Sequence, residues 1–235
     1  MPPTRPTRWQ QRAGTYLKTQ FAFDAGLIGP YMTPTKIILH RQGNPDVEGQ
    51  SGIAWMNSSG WGSIHRYVDD TICAEGVPLN RRAYHANAIQ ADGQRADVSA
   101  IGIETEDESP QSATLAPGQL YGLSQDTRIT LLLVVVDILK QYPGLPIFEH
   151  ADFDPKNRPD DLGDALNLPD FRLDVADVQA GREPWRTVGP FATGSRAPAD
   201  WQPAPIVAPR TYEQGFADGR ISGHAEARAA LNGLS

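Results

Sequence analysis

Apolar positions along this chain gather in a few short runs separated by connections rich in glycine and proline. Lys36-Ile37-Ile38-Leu39-His40 follows Pro34 as a continuous β-branched run, the pattern of a strand buried on both faces. Ser63-Ile64-His65-Arg66-Tyr67-Val68-Asp69 alternates, Asp69-Asp70 reads as a hairpin turn, and Thr71 to Pro78 predicts the returning strand. In the stretch Ala96 to Glu106, Ile101 and Ile103 point to one side of a strand, so Gly102 and Glu104 point to the other. Ser124 to Gln141 predicts a helix, capped by Ser124 or Asp126 and stopped by Pro143-Gly144. Its Val134-Val135-Val136 would suit a strand, but about 18 residues is too long for one. Pro146 to Glu149 predicts a brief strand, and Ile53 to Asn57, Leu162 to Leu168 and Phe171 to Ala180 predict short helices. Phe21 to Tyr31, Arg41 to Gly52 and Ser109 to Gln119 read as loops.

Composition narrows the classes. At 235 residues and 40% hydrophobic, the chain can bury one sizeable core, so one domain with extensions is expected rather than two equal ones. With 21 basic and 28 acidic residues the formal charge is −7, and no basic block marks a nucleic-acid binder. A single cysteine, Cys73, excludes an internal disulfide. The segment Met1 to Gln20 carries Arg5, Arg8, Arg12 and Lys18 without an apolar core, unlike a secretory signal. Leu131 to Val136 is too short to span a bilayer. The chain therefore reads as a soluble product of a cytoplasm. Its expected organisation is an N-terminal extension over 1–30, a catalytic domain over 31–185, a Pro/Ala-rich linker over 186–210 and a short helical tail over 211–235.

The candidate chemistry concentrates in one loop. Glu149-His150-Ala151-Asp152-Phe153-Asp154-Pro155-Lys156-Asn157-Arg158-Pro159-Asp160-Asp161 joins an imidazole, several carboxylates and two cations between prolines. Such a set can ligate a cation such as zinc. His40 ends the first apolar strand, and a polar residue at a strand end is where α/β proteins build sites. Glu104, at the end of another apolar strand, is either a surface charge or a catalytic group.

Taken in order, strand-ending His40, Ser63-Ile64-His65, Arg82-Ala83-Tyr84-His85-Ala86, Ile101-Gly102-Ile103-Glu104 and His150…Arg158-Pro159-Asp160 resemble the zinc-dependent N-acetylmuramoyl-L-alanine amidases. That family shares the peptidoglycan-recognition-protein fold, often used by bacteriophage endolysins, and the resemblance spans residues 34 to 175. It implies an α/β fold with a mixed central β-sheet flanked by α-helices. By position the zinc ligands would be His40, His150 and Asp160, with Asp161 as the alternative third ligand. Glu104 would be the general base, taking a proton from water and returning it to the leaving amine. Two imidazoles and a carboxylate leave a fourth tetrahedral position open, as a catalytic zinc requires. The family commonly has a lysine two residues before the last ligand, whereas this chain has Arg158. Arginine cannot donate a proton but can hold an oxyanion, and Lys156 is the other candidate for that role. Tyr84, His85, His65 and Trp61 are expected to line the substrate groove, with the two histidines in its wall or behind the ligands.

The implied activity is hydrolysis of the amide between N-acetylmuramic acid and L-alanine in bacterial peptidoglycan. Without a signal peptide, the expected route is that of a phage lysin, made in the host cytoplasm and released onto the wall, with neither membrane insertion nor a nucleic-acid partner. Two other readings stay open: a non-catalytic peptidoglycan-binding module of the same fold, and a cytoplasmic amidase that recycles muropeptides.

Overall fold

The computed structural model describes residues 8–12, 15–45, 49–60, 62–90, 92–107, 123–158, 161–162 and 165–188. Trp61, Pro159, Asp160, the proline-rich stretch beyond 188 and the expected tail helix lie outside these residues. In chain order the elements are α1 (Arg8–Arg12), β1 (Leu17–Gln20), β2 (Ile28–Tyr31), β3 (Lys36–Pro45), α2 (Gly49–Ser59), β4 (Arg66–Val68) and β5 (Ile72–Glu75). Then follow β6 (Arg81–Ala83), β7 (Ala100–Asp107), α3 (Gln125–Gln141), β8 (Ile147–Glu149) and α4 (Leu168–Gln179).

Six strands form a mixed sheet in the order β1-β5-β4-β7-β3-β8, and β2 pairs with β6 in a separate two-stranded ribbon. Strands β4, β7, β3 and β8 run parallel. β5 turns back against β4, and β1 lies parallel to β5 at the edge. The β4–β5 turn is made by Asp69, whose Oδ1 accepts the backbone N–H of Thr71 at 3.1 Å and of Ile72 at 2.8 Å. The sheet is thus the α/β arrangement expected from the sequence, with α2, α3 and α4 flanking it.

The two faces of the central strands bury different partners. Ile37 and Leu39 of β3 and Ile101 and Ile103 of β7 join α3 and α4 in one apolar cluster. α3 starts where Ser124 Oγ accepts the Thr127 N–H at 2.9 Å, and its chain reverses at Gly144, whose φ of +79° favours glycine. Its valines stay helical because helix burial between sheet and α4 outweighs their weak strand preference. On the opposite face, Ile38 packs with Ala86, Ala96 and Ala100, while Tyr67 packs with Ile53 of α2. This second face is thinner, and its residues past Ile38 on β3 and Gly102 on β7 are His40 and Glu104.

Several local expectations shift. β2 forms within the stretch read as loop, because β6 supplies a partner across an irregular register around Gly29 and Pro30. The paired part of the expected Ser63–Asp69 strand begins only at Arg66. In the stretch 162–168 the Ala165 N–H closes a single 3-10 turn on the Leu162 carbonyl at 2.9 Å, and α4 begins at Leu168; Leu162 itself adopts a left-handed φ of 70° with its side chain fully buried. Residues 1–30 contribute Trp9 to the core and β1 to the sheet. Arg12 fixes that segment by bonding Thr130 Oγ1 at 2.8 Å and the Asp70 carbonyl at 2.6 Å.

Candidate metal centre

The site stands at the carboxyl end of β8, beside the middle of β3 and β7 where their apolar runs stop. Register brings its parts together: His40 of β3 pairs with Glu104 of β7, and Leu39 pairs with Glu149, the residue before His150. The turn His150–Asp152 is held by a reciprocal cap, in which the Glu149 N–H donates to Asp152 Oδ2 at 3.1 Å. His150 thereby faces His40.

Three ligand-type atoms converge among buried residues: His40 Nδ1, His150 Nδ1 and Asp161 Oδ2. His150 Nδ1 lies 3.1 Å from His40 Nδ1 and 2.8 Å from Asp161 Oδ2, which is 3.6 Å from His40 Nδ1. Metal–ligand bonds of about 2.0–2.2 Å in tetrahedral array put ligand atoms about 3.3–3.6 Å apart. The observed triangle is close to that and slightly contracted. One proton on His150 Nδ1, shared by its two neighbours, can reconcile the three electron-rich atoms, and a cation at their centre can replace it. His150 Nε2 is buried without a partner. The donor set of two imidazoles and a carboxylate fits zinc.

Asp161 is fixed by more than the histidines. Its Oδ1 accepts the Arg41 N–H of β3 at 2.6 Å. Burial alone would raise its pKa, but the hydrogen bond from His150, the neighbouring His40 ring and the Arg41 N–H hold it below the carboxylate range. The next residue is left-handed Leu162, so the chain bends unfavourably to aim one side chain into the site and bury the other in the core.

Around this centre the groups are graded in charge. Burial, opposed by contacts with Asp161, keeps His40 below its ordinary pKa. Glu104 is raised well above the usual value by burial and then by the negative charge of Asp161, against the pull of Arg158. Arg158 is exposed and near enough to act on both Glu104 and His40, and Lys156 is also exposed. Tyr84 stacks under the Arg82 guanidinium at 5.0 Å, on the β6 side.

The remaining histidines are linked to the same centre. His85 Nδ1 lies 2.8 Å from His40 Nε2, and the His65 and His85 rings lie 5.7 Å apart. His65 is engaged at both ring nitrogens, by the Gly102 N–H at 2.9 Å and the Arg81 carbonyl at 2.8 Å. Of the residues singled out in the sequence, His40, His150, Asp161, Glu104, Arg158, His65 and His85 therefore come together, while Asp160 and Trp61 lie outside the described residues. The bonding of His85 to His40 was not read from the sequence. Its signal was Gly102, a glycine on the same strand face as Glu104, which marks a close approach from outside the strand.

No protein-family model and no curated protein matches the chain by sequence. Solved structures do. A mutant of PlyL superposes with a TM-score of 0.51 at 18% identity, covering 71% of this chain and 99% of PlyL. A mutant endolysin from Bacillus subtilis gives 0.51 at 17%, covering 68% and 99%. The hydrolase AmiA of Staphylococcus aureus, in complex with its ligand, gives 0.51 at 12%, covering 73% and 89%. The chain shares the fold of these three proteins.

Proposed function

We propose that this chain is a zinc-dependent peptidoglycan amidase that cleaves the bond between N-acetylmuramic acid and L-alanine, acting as a lysin on the bacterial wall. The observation that carries the reading is the buried His40–His150–Asp161 triangle at the carboxyl end of β8, beside a carboxyl group with a raised pKa. The shared fold with an endolysin supports it. His40, His150 and Asp161 would hold the zinc. When bound, the ion supplies Lewis acidity toward water and the scissile carbonyl.

The other steps belong to side chains. Glu104 takes the proton of the attacking water and delivers it to the leaving amine nitrogen; burial and the Asp161 charge raise its affinity for that proton. Arg158 contributes a fixed positive charge toward the developing oxyanion and remains protonated throughout. Tyr84, stacked on Arg82, would form one wall of the substrate groove. Among the described residues no helix is long and apolar enough to cross a membrane.

The test compares wild type, Asp161→Ala and Asp160→Ala for zinc content and for new L-alanine amino termini released from purified walls. The expected result is about one zinc per chain and hydrolysis in wild type and Asp160→Ala, with both lost in Asp161→Ala. Loss confined to Asp160→Ala would move the third ligand by one residue. A wild type that binds walls but neither loads zinc nor releases termini would be a binding module.

A further inference from the structure

Four of the chain's five histidines stand in one row, yet only His40 and His150 contribute atoms to the converging triangle. We infer that His85 is a positioning residue: seated against the bare Cα of Gly102, it fixes the His40 ring in the tautomer whose Nδ1 lone pair faces the centre. The inference rests on the metal reading above and assigns a role to a residue that touches no metal.

Hydrogen-bond direction carries the argument. His85 Nε2 lies 3.3 Å from the Ala100 carbonyl oxygen, which can only accept. In a neutral His85 ring the proton is therefore on Nε2, and Nδ1 holds a lone pair. That lone pair lies 2.8 Å from His40 Nε2, which must then donate. A neutral His40 protonated at Nε2 has its only free lone pair on Nδ1, the atom in the triangle. The relay runs from His40 to His85 to the β7 backbone, so the strand carrying Glu104 also sets the ligand's tautomer. A metal-bound histidine usually anchors its other nitrogen in this way, commonly on a carboxylate or a carbonyl. Here a neutral imidazole stands between ligand and carbonyl.

The seat is built for that ring. A Cβ at residue 102 would lie 2.5 Å from His85 Cγ and 2.6 Å from its Cδ2 and Nδ1, closer than real contacts allow. Glycine weakens a strand relative to alanine, and the space it vacates here is filled by this imidazole. His65 accepts the Gly102 N–H and closes the far side of the seat. Both ring nitrogens of His85 are engaged, which leaves neither for hydrogen bonding to a substrate.

The experiment uses the full chain with Zn2+ alone as probe, and reads chelator-competition affinity together with ring 15N shifts of the metal-free protein. Wild type should show His40 protonated at Nε2 before any metal is added. His85→Ala should weaken zinc binding about 10- to 100-fold and mix the His40 tautomers. His85→Asn, whose amide oxygen falls near the old Nδ1 and can accept from His40, should recover most of the affinity. A wild-type His40 protonated at Nδ1, or wild-type zinc affinity in His85→Ala, would overturn the inference. Failure of wild type to bind zinc would remove the metal reading instead, while the metal-free 15N spectrum still decides the tautomer.

Discussion

Glu104 is held in surroundings that an ordinary surface carboxylate never meets: burial and the Asp161 charge work against its ionisation, and only Arg158 favours it. If it moves the proton during hydrolysis, Glu104→Gln should keep zinc and wall binding but slow amide cleavage about 10²- to 10⁴-fold. Retention of near wild-type turnover would sink that role. His65 makes a different demand on the solvent. Burial, opposed by its bond to the Arg81 carbonyl, pushes its pKa from 6.5 down to about 3. A second proton on Nδ1 would face the Gly102 N–H, donor against donor. The unfolded chain accepts that proton near pH 6.5 and the folded chain does not. The His65 contribution to stability is thus complete above that pH and falls as pH drops toward the folded value, by about 1.4 kcal/mol per unit. Urea midpoints measured from pH 7 to pH 4 should decline with this slope. His65→Gln, which keeps a donor for the Arg81 carbonyl, should be less stable at pH 7 but flatter below it. An unchanged slope in that variant would assign the acid sensitivity to other groups.

At the level of elements, β7 is the strand on which the site depends. It presents Gly102 to His85, sets Glu104 beside His40 and turns Ile101 and Ile103 to the opposite core. Gly102→Ala should force the His85 ring to shift and destabilise the fold by about 1–3 kcal/mol, as overpacking does. The measurement is the urea midpoint with zinc affinity alongside; a neutral effect on both would mean the ring can move away freely. β3, β7 and α3 were legible because each rests on local signals: continuous β-branched residues, strict alternation, and a serine cap with a proline–glycine stop. β2 and β6 were not, since a few residues around Gly29 and Pro30 carry no periodicity and become strands only by pairing with each other. His40 and Glu104 could be read from the apolar runs they end, although the strands run on, β3 to Pro45 through the stretch read as loop and β7 to Asp107. Asp161 could not be separated from Asp160, because adjacent carboxylates differ only in how the backbone turns, and that turn depends on Leu162 taking a left-handed φ of 70°.

The whole molecule brings the site together from distant parts of the chain. His40 and His150 meet only when β8 docks on β3, and Glu104 joins only when β7 lies on the other side of β3. The order of these three parallel strands was beyond sequence patterning, which gives buried strands but not their neighbours. At the far edge of the same sheet, β1 covers β5 along its full length, from Leu17 beside Ile72 to Gln20 beside Glu75. An edge strand governs what a protein does in company, because unpaired backbone groups invite strands from other chains. β1 is a poor host for such pairing: it is 4 residues long, and Lys18 and Gln20 are exposed on it. β5 would be a better one, with buried Cys73 and Ala74 between its ends. Deleting residues 1–20 should therefore make the chain self-associate more with rising concentration than wild type does, as light scattering after gel filtration would detect; a deletion that scatters like wild type would show β5 guarded by other means. β1 then acts as a guard against aggregation, keeping the sheets of separate molecules from adding together.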